Sequence, residues 1–401
     1  MDNMSPALRA AWDRYRDLRE RLREHIFSTE PTSRPETHAS AVQVLLQNEA
    51  VAYEHVIAWR ADYPRFSATW GDPMFFDVWK PCADFKYLRA FLDGRRTYRI
   101  WGKRGTTLFC DLQHRNRYYS DAGPQNPLQN FNVDDWLIDG AGNFEVIASA
   151  TPPAAGHWLP LDPASSVNHL MTREAFVDWD RDVGTTMHVA RIDPTPAASL
   201  VLSEAEMIAR LDGACNLLTY TGANYNEAIF LKTWGFSDRV SNTFGAMKHA
   251  KDSGAHPDAN YVGGVFDLRP GQALIFEFDV PQCAYWGAHL ADPVNRTIDY
   301  TYHQSSLNNA QARPDGDGRM RMVICARDPG VQNWLDPVGN PRGVCQLRFY
   351  KSPTMPVPSA RTVAFDSLRD SLPVDTAYVT PQARQETLRR RTTAVMNRYN
   401  F

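Results

Sequence analysis

Five polar residues in the last third of the chain have the side-chain types that acid/base chemistry needs: His289, His303, Arg327, Asp328 and Asp336. Imidazole titrates near neutral pH, so His289 and His303 could act as general base and acid. Asp328 or Asp336 would orient the ring, and Arg327 would steady developing negative charge. Tyr285, Trp286 and Trp334 would form an apolar wall, with the amides of Asn308, Gln311 and Asn333 orienting a substrate. The same histidines with Asp328 or Asp336 could hold a metal, but no His-x-His or His-Glu-x-x-His spacing reinforces that reading. No metal and no cofactor is therefore expected. A structural reading competes, because Asp328 and Asp336 each precede a proline, where an Asx side chain commonly bonds its own turn. Arg327 could simply pair with one of them.

A repeat draws attention to these residues. Asp139–Leu159 aligns without a gap on Asp315–Leu335, sharing Asp-Gly-x-Gly and then Ala, Pro and Trp-Leu at the same spacings. Unrelated segments of average composition would match at roughly one or two positions, so a duplication is the economical explanation. The shared residues read as turn and packing positions, with Trp158 and Trp334 as apolar pins. Where the copies part, Thr151, Pro152, His157 and Pro160 give way to Arg327, Asp328, Asn333 and Asp336. The second copy gains the charges, so the chemistry is expected there.

The elements that must position these residues are mostly strands. Short alternating runs punctuated by Gly, Pro, Asn and Asp occur at Tyr87–Leu92, Thr97–Ile100, Thr107–Leu112 and Phe144–Ala148. They return at Tyr261–Leu268, Ala273–Phe278, Ala284–Leu290, Thr297–His303, Arg321–Cys325 and Val344–Tyr350. Alternation puts Tyr285, Gly287 and His289 on one face, and Thr301 with His303. Leu8, Trp12, Tyr15, Leu18, Leu22 and Ile26 recur at helical spacing, and a second helix is expected from Ala39 to about Arg60. Ser203-Glu-Ala-Glu206 has the form of a capping box, which predicts a helix to about Leu217. Asn226–Trp234 reads as a further helical segment. Pro381–Tyr399, with Arg384, Arg389, Arg390 and Arg391, reads as a surface helix with a solvated or dimer-facing basic stripe.

The expected fold class is mainly β with helical decorations (α+β), as two tandem duplicated β-sandwich or jelly-roll-like lobes with N- and C-terminal helices. The divisions fall at 1–66 (helical cap), 67–200 (first lobe), 201–260 (helical connector), 261–355 (second lobe) and 356–401 (tail and helix). With 43 basic and 46 acidic residues and a net charge of −3, no global field favours nucleic acid or an anionic membrane. The six scattered cysteines form no Cys-x-x-Cys pair and read as buried thiols. No signal-like start and no run of about 18 apolar residues is present, so a cytoplasmic protein is expected. Phosphate loops, dinucleotide fingerprints and nucleophile elbows are absent as well, which argues against nucleotide cofactors.

Arg327-Asp-Pro-Gly-Val-Gln-Asn-Trp-Leu-Asp336 with Gly339 and Gly343, Ser306-Leu-Asn308 with Gln311, and Thr97-Tyr-Arg-Ile-x-Gly-Lys-Arg-Gly105 together resemble the domain-of-unknown-function family 1214. The likeness spans roughly residues 70 to 350. It implies a β-rich, jelly-roll-like protein associated with the breakdown of steroid-like or other oily compounds, and no settled activity. The chain departs from the family at His289, where Gln is commoner, and in its shortened Trp-rich stretch Trp70–Trp79. The functional expectation is an enzyme acting on a hydrophobic oxygenated small molecule (terpenoid, steroid, aromatic alcohol or ether) by lyase, dehydratase or hydrolase chemistry. The alternative is a lipid- or carbohydrate-binding β-sandwich without catalysis. A homo-oligomer is left open.

Overall fold

The computed structural model describes residues 4–28, 34–68, 71, 76–121, 129–194, 196–197, 199–222, 240–246 and 258–399. The chain divides into two units. One comprises Met1–Trp70, Phe85–Phe176 and Asp182–Tyr225; the other comprises Gly71–Asp84, Val177–Arg181 and Asn226–Phe401.

In the first unit, strands β1 (Phe85–Lys86), β2 (Arg89–Leu92), β4 (Cys110–Arg115), β5 (Gln129–Asn132) and β8 (Asn168–Ala175) form one sheet. Strands β3 (Tyr98–Lys103), β6 (Asn143–Ser149), β7 (Trp158–Pro160) and β9 (Thr186–Arg191) form another, in the order β7-β6-β3-β9. Alternation sends Ala90, Leu92, Tyr98, Ile100, Phe144 and Val146 into one shared core between the two sheets. Helices α1 (Pro6–Ser28), α2 (His38–Ala52) and α3 (Glu204–Thr219) belong to this unit. Ser203 and Glu206 cap α3 with the expected reciprocal bonds. Arg14 of α1 pairs with Asp212 of α3 at 2.6 Å, so the expected cap and the α3 part of the expected connector belong to the first unit, whereas residues from Asn226 onward belong to the second.

In the second unit, strands β10 (Thr243–Ala246), β11 (Ala259–Asp267), β17 (Arg342–Tyr350), β13 (Tyr285–Ala291) and β14 (Ser306–Asn308) lie side by side in that order. Strands β16 (Trp334–Leu335), β15 (Arg319–Ile324), β12 (Gln272–Asp279) and β18 (Ser359–Ala364) form the smaller sheet. Phe266, Phe276, Trp286, Met322, Leu347 and Phe349 fill the core between them. Helix α4 spans Pro381–Tyr399.

Topology bears out the duplication. The smaller sheets share one strand order, β7-β6-β3-β9 against β16-β15-β12-β18. Each begins with a parallel pair in matching register, Ile147 opposite Trp158 and Val323 opposite Trp334. In both copies the indole N–H returns to the preceding strand, Trp158 donating to Ser149 O and Trp334 to Cys325 O. Asp139 caps its turn by accepting from the amides of Ala141 and Asn143, and Gly142 supplies the positive φ.

Three expectations change. Thr297–His303 is not a strand: Thr297 alone bridges to Ala291, and the Asp299 carboxylate accepts from the amides of Thr301 and Tyr302, bending the chain. Residues 359–364, assigned to the tail, are the edge strand β18, whose mostly exposed side chains hide the alternation. The basic run of α4 is not all solvated, since Arg384 and Arg391 are buried. The expected segment Asn226–Trp234 lies outside the described residues.

Asp292, 5% exposed after β13, accepts from the amides of Val294 and Arg296. Burial holds its carboxyl up at about 6, against 3.8 unperturbed. Between those values the unfolded chain has released a proton that the folded chain keeps, so stability falls as pH rises through this window. Asp292→Asn keeps the acceptor without the charge. It should be more stable than wild type at pH 7.5 by on the order of 1–3 kcal/mol, an advantage that disappears near pH 4; urea unfolding at both pH values checks this.

Candidate functional site

The five charged and imidazole candidates do not converge. Arg327 is exposed, stacks over Phe365 at 4.0 Å and lies 3.8 Å from Asp366. Asp328 caps its own turn through Gly330 N–H and pairs with Arg384 at 2.9 Å. Asp336 accepts from Val338 N–H and from His303 Nδ1, 2.8 Å away, and that ring is over a third exposed. Asn333 is a buried cross-brace between Arg313 and the carbonyl of Arg321. Trp334 packs with Ala273, Ile275 and Val323, and Trp286 points into the core on the sheet face opposite Tyr285 and His289. The second-copy charges therefore fasten the loop, as Asx turns and ion pairs do.

Tyr285 and His289 do share a face, as alternation predicts, and pairing of β14 with β13 sets Asn308 opposite Gly287, but Tyr285 and Asn308 are already engaged. The Asp84 carboxylate accepts from Tyr285 OH at 2.7 Å, from Asn308 Nδ2 at 2.8 Å and from Trp179 Nε1 at 2.7 Å. Gly287 leaves room for this knot: a Cβ there would lie 2.3 Å from Tyr285 OH. His289 is 2% exposed, and its Nε2 has no hydrogen-bond partner among the described residues. Burial, Arg348 and Lys80 push its pKa well below 6.5, so the ring is neutral. No cavity among those described reaches His289. Gln311 lines a separate cleft beside α4. Among the described residues no three His, Cys, Asp or Glu side chains gather as a metal site would require.

Titratable groups and a concave space coincide in the first unit instead. A cavity of about 290 Å³ is walled by Trp59, Tyr63, Pro64 and Phe91 and lined with Glu54, His55, Ser67 and Arg89. Helix α2 runs on into a π-helical turn, Tyr53–Ala58, a distortion frequent at functional sites because it re-aims side chains. Its carbonyl end is held by two guanidiniums: Arg60 donates to the carbonyls of Ile57, Ala58 and Trp59, and Arg210 to those of Val56, Ile57 and Trp59. Cations at a helix C-terminus satisfy its open carbonyls and its dipole. The opposite wall comes from β2, where alternation presents Arg89 and Phe91 on one face. Register sets Phe91 against His169 of β8, with ring centroids 5.2 Å apart.

Hydrogen bonds link these groups in a chain. Arg89 can only donate, and its Nη1 reaches Tyr118 OH at 3.3 Å and His169 Nε2 at 3.5 Å. Tyr118 OH also meets His55 Nδ1 at 2.8 Å, and in the tautomer with Nδ1 bare the phenol accepts from Arg89 and donates to the imidazole. Burial and the Arg89 charge hold both imidazoles well below pKa 6.5, so each carries one proton. In that tautomer the His55 proton is on Nε2, 4.0 Å from Glu54 Oε2. Glu54 is steadied through its other oxygen by Ser67 Oγ. A carboxylate therefore stands beside a neutral imidazole, backed by a phenol and a guanidinium. Sequence reasoning missed this set because residues 54, 89, 118 and 169 share no local spacing. The one available signal was Glu54-His55 at the end of an apolar helix.

No family model and no curated protein matches the chain. Among solved structures, an uncharacterized protein from Burkholderia cenocepacia is similar, with 25% identity and a TM-score of 0.77 over 89% of this chain and 97% of that one. A Vibrio parahaemolyticus protein aligns at 13% identity and a TM-score of 0.41, over 80% of this chain and all of the other. The chain thus has the fold of the Burkholderia protein, mainly β with two duplicated sandwiches and helical decoration, and among the described residues no helix is long and apolar enough to cross a membrane.

Proposed function

We propose that the chain is an enzyme that removes a proton beside a carbonyl of a hydrophobic oxygenated small molecule, a lyase- or dehydratase-type reaction, in the cavity of the first unit. The relay Arg89–Tyr118–His55 carries this reading, because it aims an imidazole N–H next to the Glu54 carboxylate. Glu54 would take the α-proton. His55 Nε2–H would donate to the oxygen where charge develops, and Tyr118 would pass its own proton toward Nδ1 as that happens, with Arg89 stabilising the phenol oxygen. The Glu54 carboxyl would then give the α-proton to the β-hydroxyl, which leaves as water while the carbonyl re-forms and its proton returns to His55 and Tyr118, completing a dehydration. Aromatic walls suit an apolar body, and a volume near the lower end of the roughly 300–1,000 Å³ usual for ligand pockets favours a small terpenoid or aromatic over a steroid. The resemblance to family 1214, kept here as part of the proposal, points toward the same oily compounds.

The experiment is NMR observation of α-proton exchange in D2O, and of water loss, for a panel of small hydrophobic β-hydroxy ketones. Wild-type protein should exchange and dehydrate at least one of them. Tyr118→Phe, which keeps the ring and removes the relay proton, should slow kcat about 10-fold with little change in KM. A panel left untouched by wild-type protein, or equal rates in Tyr118→Phe, would count against the proposal and favour a binding module.

A further inference from the structure

The second unit holds a cleft of about 540 Å³ bounded by residues 177–181, the turn after β14 and helix α4. Four guanidiniums and two carboxylates line it. Arg181 lies 3.8 Å from Asp178 and Arg390 pairs with Asp180, so these four charges balance. Arg313 and Arg391 also line the cleft, and neither has a carboxylate within 4 Å among the described residues. Two of its four guanidiniums therefore stand without a direct ion pair among the described residues.

Arg391 is the stronger of the two. It is 4% exposed, yet its only hydrogen-bond partners are neutral: Nε and Nη2 donate to Tyr300 O, and Nη2 also to Ser306 Oγ at 2.8 Å. Its plane lies over the indole of Trp179 at 4.4 Å, and that indole is fixed by its bond to Asp84. Burial lowers its pKa only to about 10, so it stays charged at neutral pH. The Asp84 and Asp299 carboxylates act on it only through space, without a direct ion pair, and the guanidinium is held by neutral groups beside the open cleft. Gln311 adds an amide whose oxygen is engaged by Asn308 N–H, leaving its NH2 for a ligand. Leu307 supplies an apolar patch.

We infer that this cleft binds a small oxyanion-bearing molecule, a carboxylate or phosphate on a polar body, with Arg391 and Arg313 supplying the charge and Gln311 a neutral donor. Planar guanidinium forks match such oxyanions in geometry as well as charge.

Isothermal titration of the full chain with inorganic phosphate and, separately, with glucuronate tests this. At least one should bind, more weakly as salt is raised. Arg313→Gln, at an exposed position that should not disturb folding, should weaken that binding about 10-fold, the loss expected for one charge-assisted hydrogen bond. Binding of phosphate alone would assign a phosphate ester, and of glucuronate alone a carboxylic acid. Absence of binding by either at roughly 10 mM, or equal affinity in Arg313→Gln, would overturn the inference.

Discussion

Glu54→Gln should reduce α-proton exchange by about 10²–10⁴-fold, the range associated with a positioned general base. Glutamine keeps the length of the side chain and can still meet Ser67, so the protein should fold and bind as before. What it lacks is a basic oxygen beside His55 Nε2. The pH dependence sharpens the test. His55 and His169 are held well below 6.5 by burial and by Arg89, so neither should produce an inflection between about pH 6 and 8. A wild-type profile that drops with the usual imidazole midpoint near 6.5 would mean that His55 titrates freely and that the proton assignment is mistaken. Kinetics of Glu54→Gln beside Tyr118→Phe would separate the base from the group that only tunes its neighbour.

Asp84→Ala should destabilise the protein by about 3–5 kcal/mol, a range typical of removing one member of a buried charged network. Its carboxylate, 2% exposed, is the common acceptor for Tyr285, Asn308 and Trp179. Removing it leaves three buried donors unmet, each of which costs about 1–3 kcal/mol if the structure does not relax. Asp84→Asn should lie between alanine and wild type, because an amide offers one acceptor oxygen and brings two donors into a place that needs none. Urea unfolding at neutral pH gives the ordering. A near-neutral Asp84→Ala would show that water can take over this role.

How far the sequence foretold the structure depended on whether the information was local. Asp139–Leu159 and Asp315–Leu335 announced the repeat because each turn, strand and Trp pin is built from neighbouring residues, and the matching parallel pairs confirm it. Tyr285, Gly287 and His289 share a face because they sit two apart on one strand. Strand β8 was missed: Asn168-His-Leu-Met-Thr-Arg-Glu-Ala175 is buried at nearly every position and so shows no polar–apolar alternation. Arg384 looked like a solvent residue because its partners Asp328, Gln304 and Val331 lie 53–80 positions away. The charges of the second copy were visible; that they serve the loop could be learned only from what they touch. Glu54, Arg89, Tyr118 and His169 meet only in three dimensions, and the π-helical turn that aims the first of them leaves no periodic trace.

The division of the chain also bears on biosynthesis. Gly71–Asp84 belongs to the second unit although the stretches on both sides of it belong to the first. Asp84 precedes its acceptor-bound partner Tyr285 by 201 residues. At ribosomal speeds of roughly 5–20 residues per second, about 10–40 seconds separate their synthesis. During that interval a short polypeptide ribbon must stay unclaimed while its destination does not yet exist. A gene cut after codon 225 would therefore deprive the second unit of Gly71–Asp84 and Val177–Arg181 while leaving every segment of the first in place.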